Sequence, residues 1–202
     1  MRVFTALAGL MALVYASAAP AAESRPDLER GKQLATTICA ACHGANGVSP
    51  VPAQPHLAGQ HAGYIANQLA LFKSGARPNP IMQGMAASLT PEDMHSVGAY
   101  FESLPPVHSA AHDKALAEKG QKIWRAGIKS LGVPACAGCH GASGHGIAGT
   151  FPRLAGQYPS LLAAWLNAYA DGSRPSDVMG PIASRLSDAD RKAVVEYVSG
   201  LQ

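Results

Sequence analysis

Charge and aromatic carbon are both in short supply: of 202 residues, 14% are Asp, Glu, Lys or Arg and 6% are Phe, Trp or Tyr. Soluble domains ordinarily carry about 25% charge. With Arg2 set aside, 15 basic side chains face 13 acidic ones, a balance of +2 that excludes a strongly electrostatic nucleic-acid binder. Of the 12 aromatic residues, Phe4 and Tyr15 fall in the N-terminal run, which leaves ten for everything after it. Ten aromatics spread over about 180 residues make a thin core, and lobes of that size need stability from another source. Period-two alternation of apolar and polar residues is also missing, so no sheet is expected.

Long hydrophobic runs are absent except at the N-terminus. Residues 1–22 hold one charge, Arg2, followed by an apolar stretch and small-residue Ala-x-Ala sites at 16–18 and 19–21. That order is the signature of a cleaved secretory signal, so these residues are expected to contribute nothing to the fold. No later stretch has the roughly 18 apolar residues of a spanning helix. The mature chain is therefore expected to be a periplasmic protein without a transmembrane segment, at most loosely membrane-associated.

What is present is a duplication. Residues 39–104 laid over 136–201, a constant shift of 97, match at 24 of 66 positions without a gap. The matches include Cys, His, Met, Pro and Arg, which composition alone rarely aligns. Two copies at so long a period mean two similar domains. The boundary falls at Pro105 and Pro106, which stop the preceding helix. We therefore expect an N-terminal domain over 23–104, a linker over 105–113 and a C-terminal domain over 114–202. Copy two carries extra residues within 124–134, before its cysteines. By formal charge the first half stands at −1 (5 basic, 6 acidic) and the second at +3 (10 basic, 7 acidic).

The pattern predicts helices and loops. Residues 27–38 and 113–125 read as opening helices, and 61–74 and 158–171 as middle helices that stop at Gly75 and Gly172. Final helices start at Thr90 and Ser187, each followed three residues later by an aspartate, which resembles a capping box. Pro91 takes the first helical position, where its missing N–H costs nothing.

All four cysteines lie in two identical frames, Cys39-Ala-Ala-Cys42-His43 and Cys136-Ala-Gly-Cys139-His140. Two thiols three residues apart on one helical turn can each add to a vinyl group of one haem, and the next residue turns its imidazole onto the iron. Disulfides, a redox-active Cys-x-x-Cys pair or a zinc site use the same cysteines. None of these accounts for a histidine at the fifth position of both frames. Two covalently bound haem c groups are the expected cofactors.

The sixth iron ligand emerges by elimination. After the frames, copy one has Met82, Met85 and Met94, whereas copy two has only Met179. The shift of 97 places Met82 on Met179, Met85 on Ile182 and Met94 on Arg191. Met82 and Met179 are thus the expected axial partners of His43 and His140, against a packing role as ordinary core methionines. Histidine is the rival, but His56, His61 and His95 fall on Arg153, Tyr158 and Lys192 in copy two, so no bis-histidine site is common to both. His145 is too close in sequence to His140 to reach the far face of the same haem.

The two frames, Leu57-Ala-Gly-Gln60 with Leu154-Ala-Gly-Gln157, and the methionines seven residues before Leu89 and Leu186 together resemble the dihaem cytochrome c4 family. The resemblance implies an all-α fold of two tandem class I cytochrome c domains, each wrapped around one haem. It implies that the carbonyls of Pro55 and Pro152 accept a hydrogen bond from the axial histidines, and that the first helix crosses the last at Gly31 and Gly120. Arg77 and Arg174 are expected either at haem propionates or as solvated loop charges. An iron with both axial positions filled has no place for substrate, so the expected role is electron transfer rather than catalysis. The expected partners are a donor and an acceptor redox protein, and the resemblance points to a membrane-bound terminal oxidase as acceptor of a monomeric carrier. The alternatives are the cytochrome subunit of a periplasmic dehydrogenase and, with less support, a dihaem peroxidase.

Overall fold

The computed structural model describes residues 25–202, so the N-terminal signal lies outside the described residues. It is helical, with isolated bridges at Ile128–Val133 and Ile147–Phe151 as its only β pairing among those residues. Among the described residues, no helix is long and apolar enough to cross a membrane.

The first lobe begins with α1 (Leu28–Leu34), capped by the Asp27 carboxylate at the Arg30 N–H, and runs through a π-helical segment (Ala35–Cys39) into α2 (Ala40–His43). A π turn inside a helical run is uncommon and is found mostly at functional sites. Then follow α3 (Ala62–Ser74), α4 (Pro80–Ala86) and α5 (Pro91–Glu102). The α3 helix stops at Gly75, whose φ of 78° is the left-handed conformation expected of a glycine stop. Thr90 and Asp93 form a complete capping box on α5.

The second lobe repeats this order with α6 (Lys114–Ala126), α7 (Ala137–His140), α8 (Pro159–Ala170), α9 (Met179–Ala183) and α10 (Asp188–Ser199). It departs from the first where the extra residues lie. Instead of running into the cysteine frame, α6 ends at Gly127 and the chain detours through a 3-10 turn (Lys129–Leu131) before re-entering at α7. The α10 box is half formed: Ser187 accepts the Asp190 N–H at 3.2 Å, but the Asp190 carboxylate takes the Ser187 hydroxyl rather than its N–H.

In each lobe the first helix packs across the last, α1 on α5 and α6 on α10. Gly31 and Gly120 make the crossings. A Cβ on Gly31 would sit 2.1 Å from the Ser96 carbonyl oxygen, and one on Gly120 would sit 1.9 Å from that of Ala193. The nearest side-chain atoms there belong to Tyr100 and Tyr197. Because the obstacle is backbone, Gly120→Ala must push two helices apart. We expect it to lower the stability of the second lobe by about 2–3 kcal/mol, read as a drop in thermal midpoint; an unchanged midpoint would mean that the crossing is loose.

The cores are mostly aliphatic. Leu34, Ile65, Leu69, Phe72, Val97 and Phe101 fill the first, and Ile123, Trp124, Leu162, Val194 and Val198 the second. The lobes meet along a polar seam built from residues about one repeat apart. The Gln60 amide bonds the main-chain N–H and C=O of Arg153, each at 2.9 Å. Gln157 does the same to His56, each at 3.1 Å. The Tyr158 hydroxyl donates to the Ser49 carbonyl at 2.7 Å, and its ring stacks on His56 with centroids 4.2 Å apart.

Candidate haem sites

The Cys-x-x-Cys-His frames form α2 and α7, helices of a single turn, which place each cysteine pair on one side and turn the following histidine inward. His43 and His140 are both buried. The Nδ1–H of His43 donates to the Pro55 carbonyl at 2.9 Å, and that of His140 to the Pro152 carbonyl at 3.2 Å. Both rings therefore present Nε2 inward with its lone pair free. Burial pushes both imidazoles below their ordinary pKa, against the smaller opposing effect of the carbonyl bond. A neutral ring is the form that binds a metal.

None of the four cysteines is paired in a disulfide. Burial raises the Cys39 and Cys136 thiols to about 11, as apolar surroundings do. Among the described residues, no cluster of three or more His, Cys, Asp or Glu side chains is arranged to hold a metal ion. The two frames are thus not brought together as one zinc site.

In the second lobe, Cys136, Cys139, His140 and Met179 line one cavity of about 430 Å³, within the roughly 300–1,000 Å³ of cofactor-sized pockets. Met179 opens α9, with its N–H bonded to the Ser176 hydroxyl at 3.0 Å. Trp124 and Phe151 flank His140, with ring centroids 6.2 and 5.9 Å away. In the first lobe, Cys39 and Met82 pack against the same core, and the Asn79 side chain holds the Met82 N–H at 2.9 Å. The other two methionines of that lobe part ways: Met85 is 44% exposed, and Met94 is 4% exposed inside the core.

The cavity crosses the seam, where Tyr64, Gln68 and Arg77 of the first lobe meet Trp165, Tyr169 and Arg174 of the second. Arg174 is buried, so the solvated-loop reading does not hold for it. Both guanidiniums lie over Trp165, at 5.7 Å (Arg77) and 4.8 Å (Arg174) from its ring centroid. They also share one neutral acceptor, Gln68 Oε1, at 2.6 Å from Arg77 and 3.3 Å from Arg174. Burial, followed by the neighbouring Arg174 charge, depresses Arg77 to about 10. Among the described residues no carboxylate pairs with either arginine, and the buried Nη1 of Arg174 has no hydrogen-bond partner. Buried cations are costly unless an anion answers them. A group that fills the cavity and carries carboxylates at its edge suits this arrangement, as haem with its propionates does.

The shift of 97 puts Arg77 and Arg174 in register, and the fold brings them together. In the sequence, the seam glutamines signal their contacts only by repeating in both Leu-Ala-Gly-Gln stretches.

A family model described as Cytochrome c matches residues 28–105 and again 117–202. The chain is 41% identical over 202 residues to a thiosulfate dehydrogenase electron acceptor from Stutzerimonas stutzeri, covering 96% of this chain and 94% of the other. It is 41% identical over 181 residues to cytochrome c4 from Thiocapsa roseopersicina, covering 87% and 93%. The crystal structure of reduced recombinant cytochrome c4 from Pseudomonas stutzeri superposes with a TM-score of 0.81 at 37% identity, covering 88% of this chain and 100% of that one.

Proposed function

Given that the chain belongs to the cytochrome c4 family of dihaem electron-transfer proteins, we propose that it works in the periplasm, accepting electrons singly from one redox protein and delivering them to another. Its two covalently bound haems c supply a one-electron iron couple. Cys39 and Cys42 would anchor one and Cys136 and Cys139 the other, with His43 and Met82, then His140 and Met179, as axial ligands. Residues 23–104 and 114–202 are the two units, joined by 105–113.

One observation carries this reading: anchoring thiols, a buried neutral imidazole and a thioether converge on a single cavity in the second lobe. The Pro152 carbonyl fixes the ring of His140 and makes it a stronger donor. A methionine opposite it favours the reduced state. With a histidine and a methionine of the chain held to each iron, a substrate would have nowhere to bind, which would favour a carrier over a peroxidase.

An optical redox titration tests the carrier. Two one-electron steps with low-spin spectra throughout are expected, and high-spin iron in either lobe of the native protein would overturn the reading. Sustained peroxide turnover with a reduced dye would favour the peroxidase instead.

The second reading concerns the donor. The 41% identity to a thiosulfate dehydrogenase electron acceptor supports service to a periplasmic dehydrogenase, and a terminal oxidase remains the proposed acceptor. The halves differ in charge sign, which suits two different docking partners. Mixed with catalytic thiosulfate dehydrogenase and thiosulfate, the oxidised protein is expected to be reduced fully and rapidly. Slow reduction, with fast oxidation by oxidase-containing membranes, would leave the respiratory role alone. The carrier is proposed as a monomer, which sedimentation would check.

A further inference from the structure

The seam reaches the axial histidines through single peptide groups. The carbonyl of the Pro55–His56 peptide accepts the His43 Nδ1–H at 2.9 Å, and the N–H of that same peptide donates to Gln157 Oε1 at 3.1 Å. The other half mirrors it. The carbonyl of the Pro152–Arg153 peptide accepts the His140 Nδ1–H at 3.2 Å, while its N–H donates to Gln60 Oε1 at 2.9 Å. Both glutamines are buried, and each Nε2 closes a second bond onto the carbonyl of the residue it clasps. Each axial histidine is thus supported by a peptide whose N–H a side chain of the opposite lobe holds, with a second bond to the carbonyl of the following peptide.

We propose that Gln60 and Gln157 are crossed positioning residues: each sets the strength of the hydrogen bond to the axial histidine of the other lobe, and with it the redox potential there. This rests on the reading of His43 and His140 as iron ligands. An amide whose N–H is engaged has a more negative carbonyl oxygen, and hydrogen bonds in such chains strengthen one another by roughly 10–30% per bond. A stronger bond at Nδ1 leaves more electron density on Nε2, which stabilises ferric iron and lowers the potential. Removing the glutamine should therefore raise the potential of the lobe opposite. Both glutamines are buried, and the matched register makes the coupling mutual.

The test uses the full-length holoprotein with Gln60→Met and Gln157→Met, substitutions that keep side-chain length and exclude water. Potentials come from spectroelectrochemical titration with the haems assigned by NMR, and the ferrous His43 and His140 ring N–H resonances are followed in the same samples. In Gln60→Met we expect the second-lobe potential to rise further than the first, with the His140 Nδ1–H signal moving upfield. Gln157→Met should reverse the pattern, moving the first-lobe potential and the His43 signal. Equal shifts in both lobes, a larger shift in the substituted lobe, or no shift would overturn the proposal. Should either Met variant fail to fold, Gln60→Glu and Gln157→Glu retain an oxygen toward the clasped N–H. The ring N–H signal across the seam should then stay near its wild-type position, and its loss would count against the proposal. Failure of the ligand assignment shows separately, as wild-type spectra without histidine-ligated low-spin iron.

Discussion

A variant with both Cys39 and Cys42 replaced by alanine is expected to retain covalent haem only in its second lobe and to be cut rapidly by protease within the first. The reason lies in the core. The first lobe buries Phe72 and Phe101 as its only large aromatic side chains, and most of the remainder is aliphatic. An area of that size offsets little more than the entropy of ordering about 80 residues. A haem tethered by two thioethers can supply the missing apolar surface, and axial bonds from opposite sides of the fold would hold α2 and α4 together. Extraction of unattached haem followed by quantification should show half the wild-type covalent content. Limited proteolysis with mass spectrometry should release fragments of α1–α5 while α6–α10 persists. A resistant first lobe without its haem would mean that the side chains alone suffice.

The same loss should reach across the seam. Gln60 belongs to the first lobe but clasps the peptide that supports His140. Unfolding the first lobe therefore removes that clasp along with half of the arginine pair. Loss of the clasp should raise the potential of the surviving haem and loss of the Arg77 charge should lower it, so the clasp's share is read by comparison with Gln60→Met.

How much of this was legible in the sequence depends on whether the determining interactions are local. The glycine stop at Gly75, the capping box at Thr90 and the one-turn frames all act within four residues, and each reads correctly from spacing. The duplication sufficed for two lobes. At the end of the second middle helix the reading ran slightly long: α8 stops at Ala170, and Gly172, with φ of 81°, lies beyond the cap.

What spacing does not reveal is longer in range or depends on contrast between the copies. The π-helical run over Ala35–Cys39 looks like ordinary helix, since its residues favour neither form strongly. The extra residues of copy two were visible as a length difference, but the detour they make depends on Gly127 and Gly132 turning the chain at positive φ. The Gln60 and Arg153 pair spans 93 positions and the His56 and Gln157 pair 101. No periodicity encodes such partners; only the repeat hints at them. For Arg77 and Arg174, the choice between solvated charge and inward cation needed burial to decide it.

Replacing Met179 by alanine is expected to change the chemistry of the second lobe while leaving its fold in place. The side chain lines the cavity at the start of a five-residue helix whose first N–H is held by Ser176, so the backbone there does not depend on the thioether. The other residues lining that cavity include no further methionine and no histidine besides His140, so no second thioether or imidazole is at hand to refill the position. The sulfur-to-iron band of the second haem should disappear and its potential should fall, because a thioether ligand favours ferrous iron. Azide or cyanide should bind at once, and slow peroxide turnover should emerge from a protein that had none. The first haem, for which Met82 is the proposed ligand, should keep its band and nearly its potential, and Met82→Ala should produce the mirror image. If instead both bands and both potentials survive in the Met179 variant, the thioether there is only packing, and the closed coordination that makes a carrier of this chain must come from a different side chain.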